Sequence, residues 1–366
     1  MQAVVYRGRD DLCVETVPVP EIQAGELLVK VAVCGVCPTD IKKIHYGTVP
    51  PPRIFGHETS GTIVQVGRGV TKFRVGDRVG LHHHVPCLDC HYCRHRAFAQ
   101  CAGYKRTGIT AGFEPAGGGY AEYVRVMPFV LPGVVKIPRR NTFLEGAMLE
   151  PVNTVLKAIK RLNLLAGDNV CVIGQGPIGL LFTKILSLRG INVIATDLMP
   201  KRLKLAEEWG ATKAFNAALP NLVDAVVNYL SPRLRQDPRH SSLATHHSLD
   251  AAIIAVPANV AVNQAFQLIR GSGQVLLFAH TKPNDPQPID LSNICLHEKD
   301  LIGSYSADFL LQNEVAKLVF SGQINMEKLV THRLPLRQTA EAVQLASAPT
   351  PESLKVVVCQ AGTGYY

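Results

Sequence analysis

The stretch "NVCVIGQGPIGLLFTKILSLRGINVIATD", residues 169–197, constrains the fold more than any other part of the chain. Val170–Ile173 is a short apolar run that predicts a buried strand. Gly174, Gly176 and Gly179 then form G-x-G-x-x-G at the start of a helix that we expect to run to about Leu188. A second strand, "INVIATD", follows. This alternation, repeated in "TKAFN", "DAAIIAVP" and "GQVLLFA", predicts an α/β, doubly wound parallel sheet.

The glycine pattern between a strand and a helix predicts a dinucleotide site. The first glycine makes the tight turn, the second lets a pyrophosphate approach the backbone, and the third lets helix and strand pack closely. The helix that starts at Pro177 and Ile178 supplies free N–H groups for phosphate, from Ile178 onward because Pro177 has none. Asp197 lies 18 residues past Gly179 and can bond both ribose hydroxyls, which favours NAD. Lys201 and Arg202 could instead hold the additional phosphate of NADP, so NADP stays open.

Four cysteines between residues 87 and 101 predict a metal cage. Their spacing is C-x2-C-x2-C-x7-C, formed by Cys87, Cys90, Cys93 and Cys101. Four thiolates can surround zinc tetrahedrally at about 2.3 Å, and a closed site of this kind leaves no position for a substrate. We therefore expect a structural zinc, and we regard disulfides or a redox pair as the weaker alternatives.

Because a closed cage cannot catalyse, the chemistry has to lie elsewhere. Cys37 in "GVCPTD", His57 in "GHETSG" and Glu150 in "LEPVNT" each stand beside a glycine, a proline or a tight polar turn. Residues that bind metal often occupy such loops, but each of these three residues alone is a weak signal.

Taken together, these motifs resemble the zinc-dependent medium-chain dehydrogenase/reductase superfamily over nearly the whole chain. The matching segments also include "GDRVG", the four-cysteine lobe, "GGGYAEYV", "GQGPIGLL" and "GSGQVLLF". The resemblance implies a catalytic zinc bound by Cys37 and His57, with Glu150 at the third position. With a glutamate at this position, the chain resembles the polyol, sugar-alcohol-phosphate and threonine dehydrogenase branches of the superfamily. In those branches Glu58 can also bind the metal, and the choice between Glu58 and Glu150 stays open.

The resemblance also implies a reaction and a proton path. An alcohol at the catalytic zinc would lose its proton easily and pass a hydride to the nicotinamide. Thr39, two residues after Cys37, would accept that proton, although a hydroxyl in "PTD" could instead bond its own backbone. The next relay group is less clear, because "IKKIH" has lysine where the family sometimes has histidine.

The first ~150 residues contain short β-rich runs separated by glycine and proline, which match the family's GroES-like β-barrel. We expect residues 1–152 and 297–366 to form this catalytic domain and residues 153–296 to form the Rossmann domain. The substrate cleft would lie between them.

Composition excludes some classes and leaves others open. The chain has 366 residues, 47% of them hydrophobic, and a net charge of +9. The positive residues are scattered and not interleaved with aromatic ones, so a zinc-containing nucleic-acid-binding protein is the weaker alternative. No secretory leader pattern and no run of about 18 apolar residues is evident, so we expect a cytoplasmic protein without membrane contact. The polar stretch 231–249 reads as a surface insertion or as an anion contact.

The sequence thus predicts an enzyme: an NAD-dependent zinc alcohol or polyol dehydrogenase with two Zn²⁺ per chain, one catalytic and one structural. Its partner would be a small alcohol or ketone, with no nucleic acid. Oxidation of a phosphorylated sugar alcohol, or of an amino alcohol such as threonine, is the alternative within the class. A zinc-free quinone or enoyl reductase fits less well, because such enzymes lack the GHE and four-cysteine features. The resemblance further implies a homo-oligomer, either a dimer or a tetramer.

Overall fold

The computed structural model describes residues 1–82, 85–103, 117–236, 249–279 and 286–360. The chain divides into two compact units. The first combines Met1–Thr154 with Ser306–Tyr366, and the second is Val155–Tyr305. Each unit has its own apolar core, so each is described by itself.

The strands are β1 Gln2–Gly8, β2 Asp11–Thr16, β3 Leu27–Gly35, β4 Glu58–Val66, β5 Arg78–Gly80, β6 Tyr123–Val126, β7 Val135–Lys136, β8 Asn169–Ile173, β9 Asn192–Asp197, β10 Ala211–Asn216, β11 Leu249–Ile254, β12 Ile269–Leu277, β13 Asp300–Gly303, β14 Val330–Pro335 and β15 Lys355–Cys359. The helices are α1 Pro38–Tyr46, α2 His91–Arg94, α3 Phe143–Ala147, α4 Leu149–Ile159, α5 Pro177–Leu188, α6 Pro200–Glu208, α7 Leu222–Gln236, α8 Val260–Leu268, α9 Leu291–Leu296, α10 Gln312–Phe320, α11 Met326–Leu329 and α12 Thr339–Ser347. None of these helices is long and apolar enough to cross a membrane, within the residues described.

The second unit is built on a six-stranded parallel sheet in the order β10-β9-β8-β11-β12-β13. All five residues of β8 are buried, as expected for a central strand covered on both faces. Strand order reverses at β8, which pairs with β9 on one side and β11 on the other. The doubly wound sheet predicted from the sequence is confirmed. In such a sheet, ligands bind beyond the carboxyl ends of the strands at the reversal point, where the glycine loop follows β8.

The first unit contains a two-stranded ribbon, β1 with β2, and a seven-stranded sheet. That sheet runs β14-β15-β3-β4-β5-β7, and β6 also pairs with β3. Strand β3 is buried along its length except at Lys30, so it forms the centre of the core. The late strands β14 and β15 lie in the same sheet as β3 and β4, which brings residues near 355 next to residues near 35.

Candidate active site

The turn between β3 and α1 places Cys37 at the start of a helix. Cys37 is the extended residue before the first helical position, with φ −105° and ψ 139°. Pro38 follows at the first helical position, where its fixed φ suits the helix and its missing N–H costs nothing. Gly47 ends α1 in the left-handed conformation, with φ 63°. The half-buried thiol of Cys37 therefore lies at a helix N-terminus.

The β3–β4 pairing brings His57 and Glu58 to this cysteine. Gly35, at the end of β3, is the register partner of Glu58 at the start of β4. Cys37, His57 and Glu58 each offer one atom that could hold a metal ion, and these three atoms all lie within 4.8 Å of one another. His57 and Glu58 are buried. A Cβ at position 35 would stand 1.8 Å from Oε2 of Glu58, so this carboxylate can occupy its place only beside a glycine.

Asp40 contacts the Nδ1 side of the His57 ring, and the sequence reasoning did not single this residue out. It is fully buried in the first turn of α1. Its carboxylate lies 3.1 Å from Nδ1 of His57 and accepts the Gly56 N–H at 3.2 Å. Burial alone would raise the pKa of Asp40, but the charge and hydrogen bond of His57 lower it. The available signal was its position three residues after Cys37, which points it to the same side of the helix.

Lys355 is a second residue that the sequence reasoning missed. Its buried Nζ donates to Oε1 of Glu58 at 2.7 Å and to the carbonyl of Val36 at 2.8 Å. Burial disfavours the ammonium, but the charges of Glu58 and Cys37 raise the pKa of Lys355 above its ordinary value. Lys355 lies 297 residues from Glu58, and no local pattern could have connected them. Lys355 and Glu58 therefore form a buried ion pair next to Cys37 and His57.

Glu150 lies outside the compact group but close enough to interact with it. Helix α3 begins with a capping box between Thr142 and Glu145, which sets the start of the helical pair α3–α4. Glu150 is in the first turn of α4 and is buried. Desolvation raises its pKa to about 7, and the charges of His57 and Glu58 act on it in opposite directions. Its carboxyl can therefore exchange a proton near neutral pH.

The charge around His57 favours a cation. Although burial opposes it, the charges of Asp40 and Cys37 raise the pKa of His57 well above its usual value. The same negative charge would attract a metal ion, and thiolate, imidazole and carboxylate are the three ligand types that zinc accepts. The donor set of Cys37, His57 and Glu58 therefore fits zinc.

The four-cysteine lobe brings its sulfur atoms together. Sγ–Sγ distances are 3.5 Å between Cys87 and Cys101, 3.5 Å between Cys90 and Cys93, and 3.9 Å between Cys87 and Cys93. A tetrahedron of sulfurs at about 2.3 Å from zinc has edges of about 3.8 Å. The backbone N–H of Cys87 points at Sγ of Cys101 and that of Cys90 at Sγ of Cys87, each 3.4 Å away. The backbone N–H groups of Asp89 and Cys90 lower the pKa of Cys87. All four atoms lie within 4.8 Å of one another, so the lobe fits a four-sulfur metal site.

In the second unit, each glycine of the loop after β8 has its own steric reason. Gly174 has φ +95°, and a Cβ there would lie 2.2 Å from Val256. A Cβ at Gly179 would stand 1.7 Å from the carbonyl oxygen of Gly174. A Cβ at Gly176 would meet nothing nearer than Arg202, at 3.9 Å. Gly174 and Gly179 are thus required by the fold itself. Gly176 leaves open space at the helix start, where a phosphate would bind.

Asp197 ends β9 beside this loop. Its carboxylate accepts the backbone N–H of Gln175 at 2.7 Å and that of Met199 at 2.8 Å. Each oxygen keeps a second acceptor position that a ribose hydroxyl could use. Asp197 therefore also ties the glycine loop to β9, a structural role that the sequence reasoning did not assign.

Comparisons with known proteins match this architecture. Residues 23–139 match the model of the alcohol dehydrogenase GroES-like domain, and residues 177–321 match that of the zinc-binding dehydrogenase family. A sorbitol dehydrogenase from Bombyx mori is 30% identical over 352 residues, covering 94% of this chain and 95% of the relative. The chain belongs to the zinc-dependent medium-chain dehydrogenase/reductase superfamily. The GroES-like and Rossmann folds predicted from the sequence are confirmed.

Two solved structures of the superfamily extend the comparison. One, from Sinorhizobium meliloti, is bound to NADP and described as a candidate zinc-binding dehydrogenase. It is 27% identical, with a TM-score of 0.85 and 98% coverage of both chains. The other is galactitol-1-phosphate dehydrogenase from Escherichia coli, 26% identical, with a TM-score of 0.82, covering 98% of this chain and all of its own.

Two other sequence predictions, the proton relay and the polar insertion, are not tested by this geometry. Thr39 is half-buried at the second position of α1, and its part in a proton relay stays a prediction. His45, further along α1, is exposed and faces Asp10 at 3.2 Å. Most of the polar insertion, residues 237–248, lies outside the described residues.

Proposed function

We propose that this chain is a zinc-dependent alcohol or polyol dehydrogenase that reversibly oxidises a secondary alcohol with NAD as the hydride acceptor. The supporting observation is the convergence of Cys37, His57 and Glu58 within 4.8 Å at a helix start, in a chain of this superfamily. One thiolate and one carboxylate would balance the charge of a divalent cation. The three ligands would leave one position open for substrate, as in catalytic zinc sites.

The residues around this site would have distinct roles. When bound, zinc would supply a Lewis acid that lowers the pKa of a substrate hydroxyl. Asp40 holds Nδ1 of His57 and so leaves Nε2 for the metal. Thr39 would accept the hydroxyl proton and pass it on. The position of Glu58 within the compact group supports it as the carboxylate ligand, with Glu150 close enough to exchange with it or to take a proton.

Cys87, Cys90, Cys93 and Cys101 would hold the second, structural zinc. In the second unit, Gly174, Gly176 and Gly179 would form the pyrophosphate site. The N–H group of Ile178 would face the phosphates. Pro177, which has no N–H, would line the same helix start, and Arg202 would flank it. Asp197 would bond the adenosine ribose and repel the additional phosphate of NADP. In this proposal residues 153–296 are the dinucleotide domain, and residues 1–152 with 297–366 are the catalytic domain.

A second substrate class, the phosphorylated sugar alcohols, is favoured by two observations. The net charge of +9 attracts anions, and a galactitol-1-phosphate dehydrogenase aligns over 98% of this chain. A phosphorylated substrate would bind more weakly as salt concentration rises, whereas a neutral polyol would show little dependence on salt.

The test is NADH formation, and separately NADPH formation, over a panel of polyols, amino alcohols and sugar-alcohol phosphates. Metal content is measured on the same sample, with about two zinc ions per chain expected. Cys37→Ser should abolish turnover and remove about one zinc, while Cys13→Ser, which changes a half-buried thiol in β2, serves as the matched control. Unchanged turnover and zinc content in Cys37→Ser would contradict the proposal.

A further inference from the structure

The four-cysteine lobe, residues 87–101, has a small apolar core of its own. Cys93, Phe98 and Cys101 are buried in it. Within the part of the chain that the structure describes, Phe309 is the side chain from outside the lobe that packs on this core. The rings of Phe98 and Phe309 meet edge to face, with centroids 5.4 Å apart and planes at 72°. The lobe is therefore joined to a segment more than 200 residues later in the chain.

That segment is in turn held by one buried amide. Phe309 begins a short 3-10 turn, Phe309–Leu311, which the side chain of Asp308 caps by accepting the Leu310 N–H at 2.9 Å. Asn153 bonds both backbone groups of Asp308, since its Oδ1 accepts the N–H at 2.8 Å and its Nδ2 donates to the carbonyl at 3.0 Å. Asn153 is fully buried, so its amide group would be left without water to replace these bonds.

Asn153 and Glu150 stand on the same side of one helix. They are three residues apart in α4, a spacing that brings side chains together on a helical surface. A rotation or shift of this turn would carry both side chains with it. The lobe thus packs on Phe309, and the backbone of the adjacent Asp308 bonds to Asn153. The same helical turn carries Glu150, whose carboxyl is affected by the charges of His57 and Glu58.

We propose that Phe309 and Asn153 are positioning residues through which the folded four-cysteine lobe fixes the orientation of Glu150 at the candidate active site. The inference rests on the proposed function in one respect, because it requires that Cys37, His57 and Glu58 bind a metal. It assigns the lobe a second task beyond its own folding. Disturbing the lobe weakens metal binding at the other site, although no residue of the lobe belongs to that site.

The experiment measures metal binding on the full chain loaded with Co²⁺, whose visible spectrum reports ligand geometry. Competition with a chromophoric chelator gives the affinity of each site. We expect Phe309→Ala to weaken metal binding at the Cys37 site about tenfold, the lower end for residues that orient ligands, and to alter its spectrum. Phe309→Tyr keeps the aromatic ring, so its metal affinity and its Co²⁺ spectrum at the Cys37 site should match those of the wild type. Leu310→Ala, which changes the exposed neighbour of Phe309, is the matched control and should resemble wild type.

A double variant tests whether the two residues act along one path. Asn153→Ala should weaken the same site, and the Phe309→Ala/Asn153→Ala effect should fall well short of the product of the single effects. If Phe309→Ala does not fold, Phe309→Leu replaces it, with an effect between those of Ala and Tyr.

Either of two results overturns the proposal: a Cys37 site with unchanged affinity and spectrum in the folded variant, or fully multiplicative effects in the double variant. Failure of the proposed function is separately visible, as metal binding without alcohol oxidation in the wild type.

Discussion

Replacing Asp40 by asparagine isolates the part that this buried carboxylate plays at the candidate active site. The amide has nearly the same volume, so packing in the first turn of α1 is retained. The substitution removes the negative charge. It also removes one of the two acceptor oxygens that, in the wild type, face the Gly56 N–H and Nδ1 of His57. Either His57 or Gly56 then lacks an acceptor in a site that water does not reach.

The size of the effect follows from the bonds that are lost. A hydrogen bond to a charged group contributes about 1.5–3 kcal/mol. Substituting the partner that orients a metal-binding histidine typically weakens metal affinity about 10–100-fold, which corresponds to about 1.4–2.8 kcal/mol. The two ranges agree, so we expect Asp40→Asn to weaken metal binding at the Cys37 site by one to two orders of magnitude.

The assay is competition for Zn²⁺ between the protein and a chromophoric chelator, with thermal melting of the same samples as a check on folding. Asp10→Asn is the matched control, because Asp10 faces His45 at a similar distance on the exposed surface. The control should bind zinc as the wild type does. An affinity for Asp40→Asn within about threefold of the wild type, in folded protein, would refute the assignment of Asp40 to the support of His57.

Three further outcomes are expected. Gly179→Ala should destabilise the fold by about 1–3 kcal/mol or more, because the added Cβ would lie 1.7 Å from the carbonyl oxygen of Gly174. Gly176→Ala should melt at the wild-type temperature but bind dinucleotide more weakly. Melting curves measure the first effect and fluorescence titration the second. Cys90→Ser should lower metal content by about one zinc per chain and reduce the melting temperature, which metal analysis and calorimetry measure. Arg125 lowers the pKa of buried Glu26, so this pair stabilises the fold above the ordinary carboxyl pKa and loses its contribution as pH falls below it. Glu26→Gln should flatten that acid-side dependence in chemical denaturation, and a dependence equal to that of the wild type would contradict it.

The sequence alone was enough to predict the doubly wound sheet and the four-cysteine lobe. Both depend on short spacings: the glycines lie within six residues and the cysteines within fifteen. Steric demands such as that at Gly179, and the geometry of four converging sulfurs, leave few local alternatives. Cys37, His57 and Glu150 were identified through resemblance, because alone each is an ordinary polar residue on a loop or helix.

Tertiary structure decided which groups surround that site. Pairing of β3 with β4 brings Glu58 beside Gly35, and the late strand β15 carries Lys355 to Glu58 across 297 residues. The same folding buries Asp40 against His57 and fastens Asn153 to Asp308. Burial then turns these contacts into large effects, because a charge or amide removed from water depends on the partner that the fold supplies. Local sequence patterns carry no record of such long-range partners, and for this reason Lys355 and Asn153 became visible only in three dimensions. For Asp40, the spacing from Cys37 was the only local signal.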